Sequence, residues 1–206
     1  VEAEVSSGLL FSAYHLLSAG LPGNSKVILL AKRSIESPQR TSKTNRRNDM
    51  EPRIDYLKVG RGVYEAMLGL EKYLRQCGLD ETLLDLIKLR VSQINGCAYC
   101  LDMHWKDLRA RGESEQRLYG LDAWEESPYY NERERAALAW AEAVTDIKET
   151  HAPDDVYEKT RRHFNEKEVA DLTLAVAAIN SWNRLAIAAR SVPGKYQPPR
   201  ELHKSA

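Results

Sequence analysis

From Arg53 to Ala189 the apolar residues return every third or fourth position, and no stretch alternates as a half-buried strand does. That pattern limits the chain to helices packed on helices, an all-α fold. Val63, Met67, Leu70 and Leu74 form one apolar stripe, which Gly78 is expected to stop. Asp80 or Glu81 opens a second helix carrying Leu83, Ile87, Val91 and Ile94, and Asn95-Gly96 breaks it. A third helix is expected to run to about Arg111, closed by Gly112. Asn131 with Glu134, and Asn165 with Glu168, have the spacing of a reciprocal helix cap. The first cap begins a run with Ala136, Ala137, Trp140 and Val144. The second begins Val169 to Ala189, so apolar on every side that burial all round is expected. Pro153 marks the start of a short helix between them, and Pro193-Gly194 ends the last.

The first 49 residues read differently. They hold seven basic and four acidic residues, leaving +3 here and −3 on the remaining 157. One short apolar piece, Gly8 to Leu21, precedes a Ser/Thr/Arg/Lys-rich run from Lys32 to Asn48. Such a segment cannot bury enough surface to offset its ordering entropy, so it is expected to be mostly disordered. Glu2 and Glu4 sit where a signal peptide needs basic residues, and Met50 stands just before the first patterned segment as the expected functional start. The organisation expected is an extension over 1–49, a helical domain over 50–197 and a frayed tail over 198–206. Thirty basic residues balance thirty acidic ones, so nothing global draws the chain to nucleic acid or an anionic membrane. No apolar run approaches the ~18 residues of a membrane span. A cytoplasmic location is expected.

Within the helical span the run from Asn95 to His104 sets two thiols, Cys97 and Cys100, three residues apart and an imidazole, His104, four residues after the second. On a helix, Cys97, Cys100 and His104 project within roughly 60° of one another, with His104 about 6 Å beyond Cys100 along the axis. Leu101 and Leu108 share that face, so the reactive groups are expected to point inward. A base one turn from a thiol, with a second thiol one turn the other way, suits redox chemistry at sulfur. The helix dipole favours Cys97 as the ionised thiol and the histidine favours Cys100, so spacing alone leaves the attacking sulfur open. Two other readings compete: a structural zinc site, and two core cysteines that merely lie close. Zinc wants a fourth ligand, and no second cysteine pair exists.

The stretch from about Arg53 to Tyr196 resembles the carboxymuconolactone decarboxylase superfamily, in its alkylhydroperoxidase D-like (AhpD-like) peroxidase branch. Leu86 to His104 carries the likeness, joined by Glu132 to Trp140 and Asn180 to Ile187. The resemblance implies a helical bundle with the Cys-x-x-Cys helix packed inside, and trimers or hexamers as the assembly. It implies that Cys100 attacks, that Cys97 resolves, and that His104 and an upstream carboxylate relay a proton, through water. The family pattern has Glu twelve residues before the first cysteine, where this chain has Asp85. Aspartate keeps the charge but is shorter by roughly 1.3–1.5 Å. The implied activity is reduction of alkyl hydroperoxides in antioxidant defence, with an external dithiol as reductant and no metal or other cofactor. Alternatives in view are a disulfide oxidoreductase with a non-peroxide oxidant, and a lyase of the decarboxylase branch.

Other candidates read as structural. Cys77 is expected to be a buried thiol, His151 and His163 to lie at the surface, and Trp140 and Trp182 to serve packing. Glu132 to Arg135 is expected to form a solvated face.

Overall fold

Helices begin in this protein where a polar side chain meets free backbone N–H groups. Asp80 accepts from the Leu83 N–H and Ser114 from that of Arg117. Asn131 and Asn165 each form a reciprocal cap with the glutamate three residues on, as their spacing predicts. Each such cap is worth about 1 kcal/mol. The computed structural model describes residues 51–199; the expected extension, Met50 and residues 200–206 of the expected tail lie outside the described residues.

Nine α-helices follow in order among the described residues: α1 (Tyr56–Val59), α2 (Arg61–Leu74), α3 (Glu81–Asn95), α4 (Ala98–Ala110), α5 (Glu115–Tyr119), α6 (Glu132–Thr145), α7 (Ile147–Thr150), α8 (Asp154–Arg161) and α9 (Glu166–Ala189). A single 3₁₀ turn, Leu121–Ala123, follows α5. The described residues are helical with no strand, as the periodicity predicts, and none of their helices is long and apolar enough to cross a membrane.

Helix α3 lies at the centre. One side packs Ile87 and Val91 into a cluster with Ala137 and Trp140 of α6 and Leu172, Val176 and Ile179 of α9. Its other side packs Leu86 and Leu89 against Leu108 of α4, Leu118, Leu121 and Leu138. Alanines at 136, 137, 141, 175 and 178 line the first cluster, where small side chains let α6 and α9 approach closely.

Several expectations need correction. Helix α2 ends at Leu74, four residues before Gly78, and Val63 of its stripe is exposed. Cys77 is half-buried rather than buried, its thiol donating to the Leu74 carbonyl at 3.0 Å. Helix α9 is not covered all round: Ala170, Ala177, Ser181, Arg184 and Ala188 face outward along one side of the single chain. Alanine is small enough that its exposure costs little. Of the solvated face expected over Glu132 to Arg135, only Glu132 is exposed, and the other three are half-buried in contacts. Arg133 lies over the Phe164 ring and pairs with Glu168, Glu134 pairs with Arg117, and Arg135 donates to the carbonyls of Trp124, Glu125 and Ser127. Arginine's planar fork explains the difference, since it bonds loop carbonyls while resting on aromatic rings.

Candidate active site

Gly96 makes the turn that builds the site. It adopts φ 66° and ψ 34° at the end of α3, a conformation that a Cβ disfavours, and the Cys97 N–H then bonds back to the Ser92 carbonyl. The chain reverses, and Cys97 becomes the N-cap of α4. Cys97 and Cys100 are both buried, with their sulfurs 2.7 Å apart and unbonded. His104 follows one turn later on α4, also buried. Asp85 faces it from α3, with Oδ1 3.9 Å from Nδ1. The four residues singled out from the sequence thus lie as two pairs, Cys97 beside Cys100 and Asp85 near His104, with no hydrogen bond among the described residues joining either sulfur to the ring.

The pair of sulfurs shares a proton unequally. The Cys100 thiol, with the backbone N–H groups of Cys100 and Tyr99 and the side chain of Asn183, draws Cys97 down to about 7 against the effect of burial. The same contact with Cys97, together with burial, pushes Cys100 up. The contact thus favours ionisation of Cys97, at the helix N-terminus, over ionisation of Cys100.

Burial, aided by the charge of Lys88, pushes His104 down to about 3, so the ring is neutral at pH 7. Among the described residues neither ring nitrogen has a hydrogen-bond partner. Burial also pushes Asp85 up to about 6, against the pull of Lys88 and Arg111. Its contact with His104 is accordingly not an ion pair. At 3.9 Å it is too long for a direct hydrogen bond, so a proton passing between the two groups needs a bridging water or a shift of either side chain. Arg111 sets the gap, since its Nε donates to the other Asp85 oxygen at 3.0 Å while its Nη1 pairs with Glu81 at 2.6 Å.

Two cavities flank these groups. A mainly apolar cleft of about 530 Å³ reaches Cys100 past Leu57, Val63 and Leu185. A second cavity of about 610 Å³, with more charged side chains in its lining, reaches Asp85 and His104 past Lys88, Glu71 and Arg111. Tyr64, Tyr99, Met103 and Trp182 line both. Trp182 is fixed there by its Nε1 donating to Glu71 at 3.1 Å, and Glu71 also accepts from Lys88 at 2.8 Å. Trp182 is therefore part of the site wall, beyond the packing role expected for it. The C-terminal segment closes one edge, with Tyr196 donating to Asp107 at 2.7 Å.

Lys88, Ser92, Arg111 and Asn183 were not singled out from the sequence, and Asn95 was read only as a helix break. A signal for three of them was present. Asp85, Lys88, Ser92 and Asn95 recur at i, i+3, i+7 and i+10 and so lie along one side of an otherwise apolar helix. A polar stripe on a helix buried all round needs partners, and here it meets the thiol helix and α9. Arg111 and Asn183 carry no such local signal. Among the described residues no group of three or more His, Cys, Asp or Glu is placed to hold a metal ion.

A profile of the carboxymuconolactone decarboxylase family matches residues 61–143. An uncharacterized Bacillus subtilis (strain 168) protein, YdfG, is 44% identical over 139 residues, covering 68% of this chain and 95% of its own length. A crystal structure from Agrobacterium tumefaciens, of a protein of unknown function described as a candidate AhpD antioxidant-defence protein, is 46% identical with a TM-score of 0.69. It covers 71% of this chain and 100% of its own. The debrominase Bmp8 is similar at 24% identity and a TM-score of 0.58, over 66% of this chain and 74% of its own, a likeness of fold alone.

Proposed function

Because this chain belongs to the carboxymuconolactone decarboxylase family, as one of its AhpD-like members, we propose that it is a thiol-dependent peroxidase reducing organic hydroperoxides through Cys97 and Cys100. One observation carries the reading: two buried sulfurs 2.7 Å apart, with Cys100 at the end of an apolar cleft.

The resting pair holds one proton. As the hydroperoxide enters the cleft, the Cys100 proton passes across the contact to Cys97, and the Cys100 thiolate attacks the distal oxygen. The O–O bond breaks, sulfur loses two electrons to it, and Cys100 becomes a sulfenic acid. The leaving alkoxide takes a proton that Asp85 supplies through a bridging water and His104. A carboxyl group with a pKa of about 6 still holds a protonated fraction near neutral pH and suits that task. Cys97 then attacks the sulfenic acid, water leaves, and the disulfide closes. An external dithiol reopens it by exchange. The apolar lining favours hydroperoxides with a hydrocarbon body over hydrogen peroxide. The outward side of α9 and the exposed Leu57 and Val59 favour a homo-oligomer.

Stopped-flow consumption of cumene hydroperoxide, with dithiothreitol as reductant, tests the reading. The wild type should outrun free cysteine by at least about a hundredfold at pH 7, given the positioned acid and the depressed thiol. Cys100→Ser should abolish the reaction, and Cys97→Ser should stop at a trappable sulfenic acid. A rate no greater than that of free cysteine would overturn it.

A further inference from the structure

Beyond α9 the chain runs along α4 as a strap over residues 191–199, and hydrogen bonds from α4 pin its middle. Oδ2 of Asp102 accepts from the Gly194 N–H at 2.9 Å. Nζ of Lys106 donates to the carbonyls of Gly194 at 3.2 Å and Tyr196 at 3.1 Å, and the Tyr196 hydroxyl is held on Asp107. Lys195 stands between the two pinned residues. The strap divides its side chains between the cavities, with Lys195 on the apolar cleft and Tyr196 on the second cavity.

Two charged side chains line the cleft, Asp55 and Lys195. Asp55 is committed to the start of α1, where it accepts from the Leu57 N–H at 3.1 Å and pairs with Lys58 at 3.1 Å. Lys195 is exposed and pairs with no carboxylate among the described residues. Aliphatic and aromatic side chains make up most of the remaining wall, with Cys100 among them. At about 530 Å³ the cleft has the size of a site for a drug-sized ligand, far above the roughly 30 Å³ share of one water. Such sites bind through apolar area and take their orientation from a few polar groups. An unpaired ammonium at the open edge of an apolar cleft complements an anion carried on a hydrocarbon chain. The second cavity offers an anion less, because Lys88 and Arg111 beside its buried end already pair with Glu71, Glu81 and Asp85.

We propose that the cleft takes a hydroperoxy fatty acid, a hydroperoxide on a long hydrocarbon chain ending in a carboxylate, and that Lys195 is the specificity-determining residue that pairs with that carboxylate. The chain lies against Leu57, Val63 and Leu185, and the peroxide group meets Cys100. The Cys100 thiolate takes the distal oxygen, the O–O bond breaks, and the alkoxide on the chain takes a proton. The product is the hydroxy acid, its carboxylate unchanged. The anchors on Gly194 and Tyr196 hold the backbone of Lys195, while its exposed side chain can follow the head group. This inference deepens the peroxidase reading and rests on it for the reacting sulfur.

The test compares linoleic acid hydroperoxide with its methyl ester, below micelle-forming concentrations, using the full chain and dithiothreitol. At low ionic strength kcat/KM should be about fivefold higher for the acid, as one exposed ion pair provides, and the preference should shrink in high salt. Lys195→Met, similar in length but uncharged, should erase the preference by raising KM for the acid. Lys195→Arg should retain it. Turnover of acid and ester at equal rates, or a preference that survives Lys195→Met, would overturn the assignment and leave the peroxidase reading standing. Binding of linoleic acid itself, followed by tryptophan fluorescence because Trp182 lines the cleft, gives a readout that needs no chemistry. Lys195→Met should raise its Kd about fivefold, and an unchanged Kd would count against the site. That rise in a protein inert toward hydroperoxides would support the carboxylate site while refuting the peroxidase reading.

Discussion

Asp85 is the residue on which the acid–base half of the site turns. Its Oδ1 stops 3.9 Å short of His104 because Arg111 holds the other oxygen. One added methylene extends reach by roughly 1.3 Å, enough to bring a carboxylate within hydrogen-bond distance of the ring. Asp85→Glu should therefore keep or raise the peroxide rate, and a tenfold fall in a folded protein would count against the relay. Two groups set the pH profile of kcat/KM, the Cys97 thiolate with pKa about 7 and protonated Asp85 with pKa about 6. Their product peaks near pH 6.5 and falls on both sides. Asp85→Asn should slow the reaction ten- to a hundredfold and remove the alkaline fall. The same residue affects stability. Its folded pKa lies above its ordinary 3.8, so the stability it contributes below about pH 4 is lost as pH rises to 6. Asp85→Asn should thus stabilise the protein at pH 7 by up to about 3 kcal/mol, with the gain vanishing toward pH 4. Chemical denaturation at the two pH values checks this. The four residues of the site were legible in the sequence because spacing on one helix, and likeness to a family, point to them. The 3.9 Å gap was not, since it depends on Arg111 arriving from the far end of α4.

At the scale of elements, local rules located the helix starts well and the ends less well. Asn131, Asn165, Asp80 and Pro153 stand where helices begin, because a cap acts over three residues and can be read locally. Helix α2 ends early because the turn at Cys77 and Gly78 is held from elsewhere, Lys167 of α9 donating to the Cys77 carbonyl at 2.8 Å. Helices α5 and α7 are too short to show a period and were not expected. Replacing Asn165 with Ala removes a reciprocal cap from the longest helix and should cost about 1 kcal/mol, measured by urea denaturation. Gly96→Ala should cost a similar amount through its left-handed backbone, and should also raise the thiol pKa by displacing Cys97 from the N-terminus of α4. A lost cap at position 165 should leave the thiol titration unmoved.

For the molecule as a whole, packing α3 on all sides forces its polar stripe to find partners inside the protein, and the redox pair is assembled where that stripe ends. The outward side of α9 was not legible, because an alanine-rich helix reads the same whether its own chain or a partner covers it. Sedimentation equilibrium should return a multiple of the 23.4 kDa chain mass, and a monomer at micromolar concentration would contradict the proposed assembly. The central claim, that Cys97 and Cys100 trap a peroxide's oxidising equivalent as a disulfide, is tested most directly by adding one equivalent of cumene hydroperoxide to the reduced protein. The account predicts the loss of two titratable thiols, a peptide map joining Cys97 to Cys100, and Cys77 still free. Three thiols remaining, or a bond through Cys77, would contradict it.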